Sequence, residues 1–529
     1  MRVVTVEEMK QIEKRTFSEF HMQERLVIEN VGMQLASAIE TEFLASHQQA
    51  YEIVFLIGKG NNGADGLATA RHLANLGHNI TAFLVYPTAE CSPECQAQLK
   101  MAASYGVKMV DATQLTTTQS YFMQTTGQFL VVDALFGIGV RLPLSQHLYD
   151  LISFVNQHAT ILLSIDVPSG VAGDSGQVMG NAINAQVTYC IGAIKLGCLL
   201  ADGITYAGRV DLIDGGFPAT LLTQGDKFQI TLQDVVAPLL RRSKFSDKKS
   251  NGHVLIVGGS PGLTGALVMA SHSAMKVGAG LVTAGTWQES YQELMARLRP
   301  EAMTFSFNAE AEHWEKFKGL LPRFDAVVLG PGLGQNKAAK EVLEFILQSY
   351  QGPLVIDADA LRAIDRKEHG EMIRNRPGQT LLTPHMGEFA FLVNKSRAEV
   401  ALNTIHHLQD LVSQLSCTVV LKGPCTFIGI PTGKIYVHHS PNDGMAKGGS
   451  GDVLAGIVGG LLGQQASHLH QDRSPQMSMD EWQQNILLGI FLHSRAGHHA
   501  AKREGTRSMT ALSILEGLPE AFKEFESGH

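Results

Sequence analysis

Residues 52–77 read EIVFLIGKGNNGADGLATARHLANLG. The opening EIVFLI is a short apolar, β-branched run bounded by glycine, the mark of a buried strand. LATARHLANLG places apolar residues at helical spacing and ends on Gly77, a helix stop signal. Between them GKGNNGADG, residues 58–66, reads as a loop. Strand, glycine loop and helix together form the repeating unit of a parallel sheet, and the order recurs downstream. ITAFLVYP (80–87), VKMV (107–110), FLVVDALFG (129–137), TILLSIDVPSG (160–170), QVTYCIG (186–192) and GRVDLIDGGFP (208–218) read as strands, and PECQAQLKMAASYG (93–106) as a helix. Upstream, the first 45 residues read as helix, with the clearest periodicity over residues 22–44. Alternating elements of this kind predict an α/β protein, its sheet mostly parallel and covered by helices on both faces.

The alternation fails between Gly215 and Ser250, which include PATLLTQGDK and the basic run RRSKFSDKKSNG. The basic run reads as a solvated surface. A first domain is therefore expected over residues 1–217, a connector over 218–230 and a second domain over 231–529. The second series opens with strand HVLIVGG (253–259), loop SPGLTGA (260–266) and helix LVMASHSAMKVGAG (267–280). FDAVVLGPG, PLVIDAD, TLLTPH and CTVVLKG follow as strands, and CTFIGIPTGKIYVHH as a hairpin turning near Pro431–Gly433. QQASHLHQDRSPQMSMDEWQQ (464–484) reads as an exposed polar loop. The glycine loops of the two halves differ in sequence and position, so the halves are two designs rather than a repeat.

At 529 residues the chain is too long for one compact domain. Its net charge of −8 gives no general attraction to nucleic acid or to an anionic membrane surface, so an anionic ligand needs a local site. No segment reads as a membrane span or a signal peptide. The six cysteines are scattered without zinc-like double pairs and read as reduced thiols in a cytoplasm.

The stretch MAKGGSGDVLAGIVGGLLG, Met445–Gly463, carries the sharpest chemistry of the second half. Gly448, Gly449 and Gly451 let the backbone approach a ligand, and the following helix points free N–H groups at it. Asp452 is then either a helix cap or a base facing a hydroxyl beside an anion cradle. Ligands of parallel α/β sheets sit beyond the carboxyl ends of strands. The loops Gly330–Gly334, Thr383–Glu388 and Lys422–Thr426 all fall there. In the first half, backbone N–H groups of GKGNNGADG can cradle a pyrophosphate, although the bland reading is a tight turn. Asn62, Asp133 and Ser169 each offer oxygen at the end of a separate expected strand, a donor type that hard cations choose. Asp133 and Asp166 are two strand-end carboxylates.

NDGMAKGGSGDVLAGIVGGLLGQ, TPHMGE, LKGPCT and HVLIVGGSPGLTGA resemble the dehydratase domain of the NAD(P)H-hydrate repair family, which is similar in fold to ribokinase-like small-molecule kinases. GKGNNGADG, VVDALFGIG and SIDVPSG resemble its companion epimerase domain, a Rossmann-like three-layer domain. The two resemblances cover nearly the whole chain. They imply epimerisation of the R and S hydrates of NADH and NADPH (NADHX/NADPHX) by the first domain. They imply dehydration of the S form by the second, with ADP giving AMP and phosphate. Carried over by motif, Asp452 activates the hydrate's hydroxyl. Lys422, Gly423, Pro424, Cys425, Thr426 and Gly451 hold the nucleotide, and Gly265, Ala266, Gly332, Gly334 and His385 line the hydrate site. Met386 stands where family members commonly carry proline. In the first domain the resemblance places a potassium ion (K+) on Asn62, Asp133 and Ser169. It places hydrate on Asn61, Asn62, Gly63, Ala64 and Asp65, on Gly137, Ile138, Gly139, Val140, Arg141, Leu142 and Pro143, and on Asp166. Asp166 is the expected proton shuttle, or else a group that bonds the turn it sits in. Mg2+ is expected with the nucleotide, and a homo-oligomer is common in the family. Two rival functions fit parts of the pattern: a vitamin or sugar kinase, and a non-catalytic nucleotide sensor.

Overall fold

The computed structural model describes residues 1–45, 51–139, 144–178, 180–236, 244–308, 310–471 and 477–526. The chain divides into two compact units, Met1–Lys227 and Phe228–His529.

The first unit is built on a seven-stranded, all-parallel sheet. Its spatial order is Lys108–Asp111, Ile80–Leu84, Tyr51–Ile57, Gln128–Ala134, Ile161–Ile165, Val187–Ile191, Arg209–Ile213. The chain builds one way from Tyr51–Ile57 and then returns to build the other way from Gln128–Ala134. The switch point therefore lies between these two strands, and their carboxyl ends frame a crevice. Both faces of the sheet are buried, one under Val31, Leu35, Leu67 and Leu73, the other under Leu151, Ile152 and Val155. Leu221 belongs to the first of these cores, so the chain just past Phe217 packs on this unit.

The expected loop 58–66 is corrected by the structure: the helix Asn61–Asn75 begins inside it. Asn-Asn-Gly has turn chemistry, but tertiary contact decides here. A Cβ on Gly63 would lie 2.1 Å from the Gly58 carbonyl oxygen, and one on Gly66 would lie 2.5 Å from the Ala134 side chain. The first helical turn is seated directly against the strand ends.

The amino terminus does not read as it folds either. Val3–Val4 is a strand pairing in parallel with Ile194–Lys195. Thr5 and Glu8 then form a capping box that starts the helix Val6–Glu19.

The second unit holds a ten-stranded sheet. In spatial order its strands are Lys227–Gln229, Ile435–His439, Cys425–Gly429, Thr418–Leu421, Thr380–Leu382, Leu354–Ile356, Ala326–Leu329, His253–Gly258, Leu281–Trp287 and Met303–Phe307. The pairs from Thr418–Leu421 through Met303–Phe307 are parallel, and the hairpin pairs are antiparallel. The switch point lies between His253–Gly258 and Ala326–Leu329.

The helix Ser450–Gln471 packs across this sheet on its glycines. A Cβ on Gly459 would lie 2.2 Å from Val328 and one on Gly463 2.6 Å from Val254, both on the strands. On the neighbouring helix Thr264–Lys276, Gly456 meets the Ala270 carbonyl at 2.0 Å by the same measure. The polar stretch expected as a loop is also corrected. Gln464–Gln471 continues the helix, and Met479–Glu504 is a second long one. Polar side chains are satisfied there by distant partners: Ser467 Oγ donates to the Lys249 carbonyl at 2.8 Å and Gln465 Nε2 to Glu481 at 2.9 Å. No helix among the described residues is long and apolar enough to cross a membrane.

Candidate active sites

The first unit opens a cavity of about 730 Å³ at its switch point. Asn61, Asn62 and Asp65 from the first turn of their helix line it, together with Gly137, Ile138, Gly139 and Asp166. Gly63 and Ala64 are buried beneath that turn. Val140, Arg141, Leu142 and Pro143 lie outside the described residues. Gly137 sits where groups converge: a Cβ on it would be 2.8 Å from Asp166 Oδ2 and 3.6 Å from Asn62 Oδ1. Asn62 is buried, and among the described residues neither its side-chain oxygen nor its nitrogen has a hydrogen-bond partner.

Asp133 and Ser169 stand behind the cavity wall and bind each other. Ser169 Oγ donates to Asp133 Oδ1 at 2.7 Å, and Ser169 N and Ser164 Oγ donate to Oδ2, each at 2.9 Å. Burial pushes the Asp133 carboxyl up and these donors pull it back down, leaving a net rise.

Asp166 adopts φ +72°, a conformation few non-glycine residues take. Its N–H donates to the Tyr189 carbonyl at 2.8 Å, and its own carbonyl accepts from Cys190 Sγ at 3.2 Å. The twist aims its carboxylate at Lys195, and Oδ1 forms an ion pair with Nζ. Lys195 is 1% exposed, and its Nζ also donates to the Ile191 carbonyl at 2.7 Å. Burial pulls the Lys195 pKa down, but Asp166, Cys190 and Glu13 outweigh it and raise it. Asp65 is pushed well up, by burial first and then by Asp166 and Glu13.

Sequence reading missed Lys195 and Glu13. Lys195 had a signal, a lone charge inside the apolar run CIGAIKLGCLL. Glu13 had none, being one acid among many on an amphipathic helix.

In the second unit the strand-end loops converge on the start of the helix Ser450–Gln471. Asp452 lies in its first turn. Its carboxyl is pushed up to about 7, chiefly by burial, with Asp357 adding to the rise and Lys422 opposing it. Lys422 Nζ instead donates to Asp357 Oδ1 at 2.7 Å, and Asp357 is 1% exposed. Gly451 is small enough to stand over this pair: a Cβ there would be 3.1 Å from Lys422 Nζ. Gly448 and Gly449, the two glycines before the helix, have separate reasons. Gly449 needs its positive φ of +94° and packs on Met269, whereas Gly448 faces open space.

Gly332 and Gly334 also take positive φ, +63° and +89°, and Gly334 N donates to Asp359 Oδ2 at 2.9 Å. Ser260 N donates to the Gly332 carbonyl at 2.6 Å, which joins this loop to the one leading to Gly265 and Ala266. Gly265 borders open space in the first turn of its helix. His385 caps the helix Met386–Val393: its Nδ1 accepts from Gly387 N at 2.9 Å, while Glu388 Oε2 accepts from His385 N at 2.9 Å. The ring's Nε2 lies 3.4 Å from Glu388 Oε1, and the side chain is half exposed. Along Lys422–Thr426, Gly423 and Pro424 are exposed, and Thr426 Oγ1 donates to the Gly423 carbonyl at 3.3 Å. Cys425 turns its thiol into the core, where burial pushes its pKa up, so it offers only backbone to this surface.

Asp357, Asp359 and His493 were not singled out from sequence. His493 Nε2 lies 3.0 Å from the Ser450 carbonyl beneath the helix start, and burial pulls its pKa down to about 4. The two aspartates had a signal in the DAD that ends PLVIDAD.

Carboxylates, a lysine and glycine-shaped loops past the strand ends of each unit define a two-domain α/β protein with a site of catalytic type at each switch point. The NAD(P)H-hydrate dehydratase family matches residues 254–520, and the YjeF-related protein N-terminus matches residues 24–197. The bifunctional NAD(P)H-hydrate repair enzyme Nnr of Moorella thermoacetica is 33% identical, over 99% of this chain and 97% of that protein. The enzyme of the same name from Escherichia coli is 30% identical, over 90% and 85%. A crystal structure of ADP/ATP-dependent NAD(P)H-hydrate dehydratase from Bacillus subtilis, co-crystallized with ATP/Mg2+, matches with TM-score 0.47 and 26% identity, covering 57% of this chain and 100% of that one. The chain belongs to the bifunctional NAD(P)H-hydrate repair family.

Proposed function

We propose that this protein returns hydrated NADH and NADPH to use, the first unit interconverting the R and S hydrates and the second dehydrating the S form with ADP. The observation that carries the reading is the pairing of two built sites in one chain that matches such enzymes along nearly its full length.

In the second unit Asp452 takes the proton of the hydrate's hydroxyl as that oxygen attacks the terminal phosphoryl group, releasing AMP. A carboxyl that titrates near neutrality suits this step. The ring nitrogen's lone pair then expels phosphate, a far better leaving group than hydroxide, and the adjacent ring carbon loses a proton to restore the double bond. The helix N-terminus behind Gly451 favours the negative charge that develops. Gly423, Pro424 and Thr426, with the backbone of Cys425, hold the nucleotide while Lys422 stays paired to Asp357. Gly265, Ala266, Gly332, Gly334 and the half-exposed ring of His385 border the hydrate. Mg2+ accompanies the phosphates, held largely through water.

In the first unit Asp166 shuttles a proton at the hydroxyl oxygen as the bond between that oxygen and the ring carbon opens and re-forms, and Lys195 holds Asp166 in place. The buried side-chain oxygen of Asn62 and the buried carboxyl oxygens of Asp133 are donors of the type a potassium ion takes, with Ser169 as third donor; the ion would supply positive charge at the cavity floor. A cytoplasmic setting accords with six free cysteines. Assembly as a homo-oligomer belongs to the same reading.

The test uses hydrated NADPH containing both epimers, with ADP, Mg2+ and K+. Full return of reduced-nicotinamide absorbance is expected from the parent, none from Asp452→Ala, and a halt at the R form from Asp166→Asn. No recovery with ADP or ATP would overturn the proposal.

A further inference from the structure

Interconverting two epimers at a carbon that bears a hydroxyl requires that bond to break and to re-form on the opposite face of the ring. The ring nitrogen's lone pair forms C=N as the C–O electrons leave with oxygen. An acid on the departing side donates a proton, so that water leaves. On the other side a second water attacks the planar carbon, C=N returns its pair to nitrogen, and a base takes the water's proton. A proton is delivered on the face where water leaves and taken up on the face where water arrives, so a proton-carrying group on each side serves both halves, with the roles exchanged in the reverse direction. Asp166 is one such group.

The cavity holds another candidate on a different element. The helix Val6–Glu19 buries Met9, Ile12 and Thr16 in the core. Its other face turns Lys10, Glu13 and Phe17 to the cavity. Glu13 lies between Lys10 and Phe17, and its carboxyl makes no hydrogen bond with another described residue. The charged groups around it are Asp166, Lys195, Glu24 and Lys10, and Asp65 faces the same space. Lys195, the buried cation among them, is bonded to Asp166 and not to Glu13. The pairing of Val3–Val4 with Ile194–Lys195 fixes the start of the Glu13 helix to the strand that carries Lys195, the ion-pair partner of Asp166.

We propose that Glu13 is the second proton-transfer group of the epimerising cavity, donating to the departing hydroxyl while Asp166 receives the proton of the arriving water. Burial, with Asp166 adding to it, pushes the Glu13 carboxyl up to about 7, which agrees with a group that carries a proton at neutral pH. Its partner Asp166 sits in an ion pair, so the two carboxyls are complementary.

The inference rests on the epimerase reading. The experiment follows R-to-S conversion by proton NMR with the full chain, without nucleotide, in water enriched in oxygen-18. The parent is expected to incorporate the label into the hydroxyl at the rate of epimerisation. Glu13→Gln is expected to slow both at least about 100-fold. KM should change little, which shows that the first unit is folded, and the ADP-dependent dehydration of the S form by the second unit should be unchanged. Glu13→Asp should recover part of the rate. Parental epimerisation by Glu13→Gln would overturn the inference, as would epimerisation with the original oxygen retained. Absence of epimerisation by the parent would instead overturn the underlying function.

Discussion

Each unit pairs a lysine with a buried carboxylate at its site, and the two lysines are engaged differently. Lys195 pairs with Asp166, the residue assigned to proton transfer. Lys422 pairs with Asp357, and among the described residues Asp452 has no ion-pair partner. The first arrangement supplies a carboxylate with its counter-ion attached. The second supplies a carboxyl that burial and neighbouring acids hold close to half-protonated at neutral pH. What sets the chemistry of each site is which acid the lysine touches, not how many acids surround it.

The largest expected effect separates the two sites outright. Asp452→Ala should slow dehydration by about 10³-fold, within the range of a lost acid–base group, and leave R-to-S conversion at the parental rate. Equal loss of both activities would show that the sites are not independent. Next comes the buried pair of the first unit. Lys195→Met strands Asp166 and should cost about 3–5 kcal/mol in urea unfolding of the full chain, with epimerisation lost. The double variant Lys195→Met/Asp166→Asn should regain most of that stability without regaining activity. A single variant as stable as the parent would mean that the ion pair is not holding the cavity together.

The third effect is one of pH. Dehydration should rise as pH climbs through about 7 and Asp452 gives up its proton. Stability moves oppositely. The folded carboxyl titrates near 7 against an ordinary 3.8, so the unfolded chain releases its proton first. That group's contribution to stability therefore falls as pH rises between the two values and is flat above them. Asp452→Asn should accordingly raise the melting temperature at pH 8 and do least at pH 4. The smallest effect concerns His385. His385→Ala should remove a helix cap worth about 1 kcal/mol, and His385→Asn should restore it. Weak hydrate binding that persists in the asparagine variant would assign the ring to the ligand as well as to the cap.

The central strands were legible because both faces of a parallel sheet are buried, which leaves unbroken apolar runs such as EIVFLI and HVLIVG. Strands beyond them were not read, Leu281–Trp287 and Met303–Phe307 among them. Leu281–Trp287 has a glycine in its middle, and Met303–Phe307, at the sheet's edge, mixes polar and apolar residues while only Phe307 is buried. The helix start at Asn61 was hidden because Asn and Gly favour turns, and the contacts that override this come from Gly58 and Ala134. At the sites, motif residues on strand ends could be seen. Lys195 and Glu13 come together only through the pairing of Val3–Val4 with a strand 190 residues away, which no local pattern encodes. Asp357 was overlooked because the carboxylate that matters is defined by its contact with Lys422.

The glycines along Ser450–Gln471 have a consequence for heat. Gly456 and Gly459 leave no spare volume toward Ala270 or Val328, and Asp452 lies one to two turns earlier on the same helix. That helix cannot drift away from its neighbours without opening the core it crosses. Thermal inactivation of the dehydration step and melting of the second unit's interior should therefore be a single event, reached at one temperature, with no warmed state in which the fold survives and Asp452 has wandered.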